Sequence, residues 1–399
     1  MTLLAHDRRL RVLMYVQHLT GVGHFVRVGE IAKALAVRHE VMITDGGAPA
    51  PRPGLEAVTA LPLPRIRQGR LGLEPIQKGV GIEAVMSERA AILRDTARRW
   101  RPDVLIVEHY PFGKWRLGPE IDAFVTEART ANPGLKVVCS VRDIRPRTRH
   151  EPASDADYAT GVSIRLRAGF DQILIHGDPV LSRLETQLPF LAQVGLPLAY
   201  TGIVSEKPAP VAGPSIDPTG CGAPFVLVSV GGGEDRMDLL GRALEAWRSL
   251  RDGGRLAGWR LVLCPGLAGS FQAVGRWSET VIVRPFSTDF LACLGAAELS
   301  ISCAGYNTCA NLLETRARAI LAPDPISDQC ERAAVLAAHG LAVMIAPDQT
   351  EPNVLAEAIV ERLARPRPQH NVRLDGAERS RELVEALAAE DRMAHVGLR

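Results

Sequence analysis

Aromatic residues are scarce in this chain, 5% of 399. The sequence also lacks an excess of one charge. A formal net charge of +2 gives no broad electrostatic basis for nucleic-acid binding, and no nucleic-acid partner is expected. No apolar run reaches the length needed to span a bilayer. The opening stretch MTLLAHDRRLRVLMYV does not read as a signal peptide, because its charged segment lies between two short apolar pieces. The seven cysteines are scattered and form no CxxC pair. Free thiols in a reducing compartment are expected, with no zinc site, no other metal and no cofactor. The expected location is the cytoplasm, with a peripheral contact at the inner membrane face kept open.

What remains is an ordinary globular composition, 46% hydrophobic and 23% charged. The length suits two domains rather than one core. Continuous Val/Ile/Leu runs alternate with helical patterns: RVLMYV, HEVMITD, DVLIVEH, LKVVCSVRD and QILIHGD in the first half. The alternation stops at residues 207–224, KPAPVAGPSIDPTGCGAP, a Pro/Gly-rich linker signature. It restarts with FVLVSVGGG, WRLVLCPG, TVIVRPF, LSISCAG, RAILAPDP and AVMIAP. Such runs read as buried parallel strands of an α/β fold with two doubly wound sheets. The expected domains are residues 1–206 and 225–373. A charged helix over 374–399 is expected to pack back on the first. Two such domains would face a central cleft, with ligands at the carboxyl ends of the strands.

Three stretches of the second half carry chemistry. In VLVSVGGGEDR, Ser229 and Gly231, Gly232 and Gly233 follow a strand, where bare backbone amides can approach a phosphate. A tight strand-to-helix turn explains the same glycines. The stretch is neither GxGxxG nor a Walker loop. In SISCAGYNTCANLLE, Gly305 allows close approach, and Asn307 and Thr308 are capping types at a helix start that favours an anion. In ILAPDPISDQCER, a Pro-rich loop delivers Asp328 and Gln329 to another helix start. A carboxylate beside an amide suits vicinal hydroxyls, and plain capping suits Asp328 equally.

The order of these motifs, GYNT then AILAP, a D-Q pair, an Arg three residues on and AAHGLA, resembles the donor-binding half of GT-B glycosyltransferases. The resemblance is to family 28, the MurG-like group, and within it to a bacterial branch with a GYNT motif. GVGHFVRVGEIAKAL, PDVLIVEHYPFG and VVCSVRDI carry it into the first half. The resemblance implies an inverting, metal-independent transferase that moves a sugar from a nucleotide-diphosphate donor, a UDP-sugar, to a hydroxyl acceptor. The acceptor would be a glycan, a lipid-linked group or a small molecule. It implies donor contacts by Ser229, Gly231 to Gly233, Phe286, Gly305, Tyr306, Asn307, Thr308, Asp328 and Gln329. The family helix carries a Glu for the ribose hydroxyls, where this chain has Asn311. Glu314, one turn later, could replace it, the nucleotide could differ, or donor binding could be weaker. A nucleotide-sugar hydrolase of the same group and a binding protein without turnover stand as alternatives, and an epimerase as a weaker one.

Transfer to a hydroxyl needs a general base. His24, in the glycine turn after the first strand, is the leading candidate, and a structural role is its alternative. Glu108 and His109 end another strand and form a second candidate, although neighbours on a strand point to opposite sides. Gly23, Arg27 and Arg142 are expected on the acceptor side, with Arg27 anchoring the loop or meeting an acidic group. Arg65, Arg67 and Arg70 in LPRIRQGRLG read either as a membrane-facing basic loop or as a solvated one.

Overall fold

The computed structural model describes residues 8–17, 19, 23–47, 54–69, 72–145, 154–207, 217–230, 237–266, 280–284, 289–325 and 328–396, excepting the side chains of 23, 24, 237 and 391–396. The chain divides into two compact units. One is Met1–Val204 with Asp375–Arg399, and the other is Ser205–Leu374.

The first unit runs β1 (Arg11–Tyr15), α1 (Gly23–Ala36), β2 (Glu40–Asp45), β3 (Thr59–Pro62), β4 (Ile66–Gln68), β5 (Leu73–Pro75) and α2 (Ile82–Trp100). It continues with β6 (Val104–Glu108), α3 (Gly118–Ala131), β7 (Lys136–Arg142), α4 (Asp155–Gly169), β8 (Gln172–His176), α5 (Leu184–Gln187) and β9 (Leu198–Tyr200). Seven strands form one parallel sheet in the order β3-β2-β1-β6-β7-β8-β9. Every residue of β6, VLIVE, is buried. Helices cover both faces of such a sheet, which is why its strands are apolar throughout rather than alternating. The order reverses between β1 and β6, so the chain leaves those two neighbouring strands toward opposite faces and opens a crevice at their carboxyl ends.

The second unit runs β10 (Phe225–Ser229), α6 (Met237–Asp252), β11 (Arg260–Cys264), β12 (Val281–Val283), α7 (Phe290–Ala296) and β13 (Leu299–Ser302). It ends with α8 (Tyr306–Thr315), β14 (Ala319–Leu321), α9 (Gln329–Ala338), β15 (Val343–Met344) and α10 (Pro352–Ala364). Its sheet is also parallel, in the order β12-β11-β10-β13-β14-β15. Here the reversal lies between β10 and β13, whose last residues, Ser229 and Ser302, stand side by side. The fold is therefore α/β with two doubly wound sheets of the same winding.

The last helix, α11 (Gly376–Val396), belongs to the first unit and lies along α1. His39 Nε2 and Glu385 Oε1 are 3.0 Å apart across that contact. Where α11 begins, a Cβ on Gly376 would come within 2.6 Å of the Gly202 carbonyl oxygen, so only glycine fits that approach.

Some elements were not legible as strands. The edge strand β3 is largely exposed, β9 is half-buried, and neither has a continuous apolar run. The basic stretch after Leu63 holds an antiparallel hairpin, β4 with β5. Arg67 pairs with Glu74 at 3.3 Å, and Arg65 with Asp45 at 3.5 Å, while Arg70 lies outside the described residues. In the linker stretch, residues 208–216 are also outside them. The turn that follows is organised by Asp217, which accepts from the Thr219 and Gly222 amides at 2.8 and 2.7 Å.

Candidate functional site

The crevice of the second unit is built from backbone and small side chains. After Ser302 the chain passes Cys303 and Ala304 and enters α8 with Gly305 as N-cap, in extended conformation. A glycine cap brings no side-chain acceptor to the first-turn amides, and that turn holds no acidic residue. The start of α4 is the contrast. There Ser154 accepts from the Asp157 amide at 3.1 Å, and Asp155 and Asp157 supply negative charge. The start of α8 thus keeps its partial positive charge uncompensated by its own sequence. Gly305, Asn307 and Thr308 are half-exposed there, whereas Tyr306 and Cys309 are buried. Helical spacing explains the split, because 306 and 309 share the face turned to the core.

The start of α9 comes from the adjacent strand. Asp328 is its N-cap but makes no side-chain cap bond. Its Oδ2 instead takes a hydrogen bond from Arg332 Nη2 at 2.7 Å. Gln329 Oε1 accepts from the Asp324 amide at 3.1 Å, which ties the loop after β14 to the helix. Of the two readings of Asp328, side-chain capping is not what the structure shows: one carboxylate oxygen pairs with Arg332 one turn along the helix.

Asn311 is buried on α8, and its Nδ2 lies 3.4 Å from Glu206 Oε2. Glu314 accepts from Ser205 Oγ at 2.7 Å and from Lys207 Nζ at 3.0 Å. Those two donors tie Glu314 to the segment that enters this unit. The carboxylate beside Asn311 is Glu206, delivered by the segment before β10. Sequence reading missed it, since residues 105 apart carry no mutual signal. Gly231, Gly232, Gly233 and Phe286 lie outside the described residues. Ser229 ends β10 in a buried position beside Ser302.

The crevice of the first unit is filled with charged side chains. Gly23 and His24 form the first turn of α1 at the carboxyl edge of β1, and the His24 side chain is outside the described residues. One turn on, Arg27 is 1% exposed and pairs with Glu108, the last residue of β6. Lys114 pairs with the other oxygen of the same carboxylate. Burial lowers the Lys114 ammonium below its usual range, Glu108 opposes this, and Arg27 and Arg142 reinforce it. This geometry bears on two expectations. Glu108 is the shared counter-charge of two buried cations, and acting as a base would require it to give up those pairs. Arg27 sits in the interior, holds the start of α1 to β6 and meets the acidic group Glu108.

His109 adopts a left-handed backbone, φ 68, and is buried. Its ring packs on Gly113, where a Cβ would meet His109 Cδ2 at 2.9 Å. Arg142 ends β7 next to His176 of β8. His176 escaped sequence analysis, because a lone histidine ending an apolar run has no distinguishing pattern. Its ring is enclosed, with Nε2 2.7 Å from Ser140 Oγ and Nδ1 3.0 Å from Thr201 Oγ1. The Thr201 hydroxyl donates to the Gly202 carbonyl at 2.7 Å, which leaves its oxygen to accept from Nδ1–H and Nε2 to accept from Ser140. Burial, then Arg27, hold this imidazole well below its ordinary pKa, with Glu108 opposing, so it is neutral.

Among the described residues no group of three or more His, Cys, Asp or Glu side chains could hold a metal ion. Nor is any helix among them long and apolar enough to cross a membrane.

Residues 267–386 match the glycosyltransferase family 28 C-terminal domain, a span that includes the starts of α8 and α9. Among curated proteins none matches the sequence significantly. Solved structures match over nearly the whole chain. The glycosyltransferase of kitacinnamycin aligns with TM-score 0.59 and 18% identity, covering 98% of both chains. A UDP-glucosyltransferase from Polygonum tinctorium aligns with TM-score 0.61 and 12% identity, over 96% of this chain and 99% of its own. The glycosyltransferase VinC, solved with DTDP, aligns with TM-score 0.55 and 16% identity over 95% of each chain. The matched domain family and these structures are glycosyltransferases, and the fold shared with them is GT-B.

Proposed function

We propose that this chain is an inverting glycosyltransferase that moves a sugar from a UDP-sugar to a hydroxyl acceptor. The observation that carries the reading is the start of α8. It is glycine-capped, free of acidic residues in its first turn, and placed at the strand reversal of the second sheet. A diphosphate suits that place, because aligned backbone amides and the helix dipole stabilise negative charge, including charge developing on a departing diphosphate. In this reading no metal is needed for the leaving group. Gly305, Asn307 and Thr308 receive the phosphates, together with Ser229 and Gly231 to Gly233. Asp328 and Gln329 meet the sugar hydroxyls. Asn311 with Glu206 meets the ribose, where a lone helical Glu would otherwise stand.

His24 is the general base in this proposal. It begins α1 at the strand reversal of the first sheet, and Arg27 and Glu108 pin that helix start. It takes the acceptor proton as the oxygen attacks the anomeric carbon, and one such displacement inverts the centre. A lipid-linked acceptor draws little support from the basic stretch, since Arg65 and Arg67 already face acidic partners.

Thermal shift with UDP, TDP and their glucose conjugates tests the donor assignment, since a ligand of the native state raises the midpoint. None raising it would refute the reading. With a bound donor identified, His24→Ala is expected to lower turnover about 100-fold or more while donor affinity is kept. Unchanged turnover would remove His24 as the base. Release of free sugar without any acceptor would replace transfer by hydrolysis.

A further inference from the structure

We infer that Arg332 is a positioning residue that locks the start of α8 and the start of α9 into one geometry. It would thereby hold the phosphate end and the sugar end of a donor in register. The inference rests on the donor-site reading above and deepens it.

The observations concern one guanidinium. Arg332 lies in the first turn of α9 and is 3% exposed, so it is not a solvated surface cation. Its Nη1 donates to the Ala304 carbonyl at 3.1 Å. Its Nη2 donates to Asp328 Oδ2 at 2.7 Å. Its central carbon stands 5.7 Å from the Tyr306 ring centroid. Thus one planar fork reaches the peptide just before the α8 N-cap, the first aromatic ring of α8 and the N-cap carboxylate of α9.

Each contact sets an orientation. Holding the Ala304 carbonyl fixes the peptide plane that leads into Gly305, and with it the direction of the first amides of α8. Engaging Oδ2 fixes the plane of the Asp328 carboxylate, which no capping bond does here. The two helices follow neighbouring strands, β13 and β14, and Arg332 joins their starts directly. An ammonium group could hold Asp328 or Ala304, but its single nitrogen cannot reproduce two divergent donors in a rigid plane. Arg332 acts through these groups and touches neither phosphate nor sugar.

The experiment uses the full chain, with Arg332→Gln and Arg332→Lys compared with wild type. Calorimetry measures affinity for UDP, UDP-glucose, TDP and TDP-glucose at a temperature where each variant is folded. The decisive quantity is the ratio of nucleotide-sugar to nucleotide affinity, which a loss of general stability does not change. In Arg332→Gln the ratio is expected to fall about threefold or more, because the sugar contact loses its register with the phosphate contact. Arg332→Lys is expected to regain melting temperature by keeping charge beside Asp328, yet to retain the lowered ratio. Ratios changed less than about threefold in Arg332→Gln, or restored by Lys, overturn the inference and leave Arg332 a structural ion pair. Failure of wild type to bind any of the four probes instead overturns the donor-site reading, and the inference with it.

Discussion

The two units share one winding and differ in what occupies the crevice where strand order reverses. In the first, Arg27, Glu108 and Lys114 form a buried charge cluster, and a second buried set lies nearby. There Arg89 grips Glu120 through Nε and Nη2, both at 2.8 Å, and the Tyr15 hydroxyl donates to the same carboxylate. In the second, the equivalent positions hold Ser229, Ser302 and a glycine-capped helix start. Side-chain charges in one crevice pair with each other and hold the backbone elements together. The helix start in the other has a glycine cap and no acidic residue in its first turn, which is what the proposed diphosphate contact draws on. The same topology thus carries a buried charge cluster in one unit and, in the other, the helix start proposed to receive an anion.

The largest test of this contrast is Glu108→Gln. Removing the carboxylate strands two buried cations, and the stability loss is expected to be about 3–5 kcal/mol, read by denaturant unfolding. A loss below about 1 kcal/mol would mean that the cluster is solvated and the contrast false.

Next in size is Thr308→Glu, which places a carboxylate in the first turn of α8. Helix stability should be unchanged or rise by about 0.3–1 kcal/mol, since an acidic group there favours the dipole. Nucleotide-sugar affinity should fall about 100-fold, because the same charge repels a diphosphate. Calorimetry with the best probe checks it, and unchanged affinity would move the phosphate away from α8.

The smallest effect concerns His176. Its folded pKa is lowered by burial, so below about pH 6.5 the unfolded chain binds a proton that the native ring refuses. The stability it contributes is therefore present above that pH and lost on acidification. His176→Gln should flatten the fall in unfolding free energy between about pH 7 and 5.5 relative to wild type. Parallel curves would show that the imidazole is accessible to protons.

The alternation of apolar runs and helices was legible because strands of a parallel sheet are buried on both faces, as VLIVE and FVLVS show. The motifs around Gly305 and Asp328 were legible for a related reason. Helix starts after strands have local signatures in glycine, small polar residues and proline. The edge strands β3 and β9 and the hairpin were not, because half-exposed strands need no apolar run.

By itself, then, the sequence determined the α/β class, the two rounds of winding and the stretches that end at a sheet edge, since each depends on residues close in the chain. Only the tertiary structure decided which charges meet. Arg27 finds Glu108, 81 residues away, and Asn311 finds Glu206, 105 residues away. Those partnerships make Glu108 the shared counter-charge of Arg27 and Lys114 and identify the acidic group that Arg27 meets. The physical reason is that a carboxylate's reactivity is set by the charges and burial around it, and those neighbours come from strands and helices brought together by the fold.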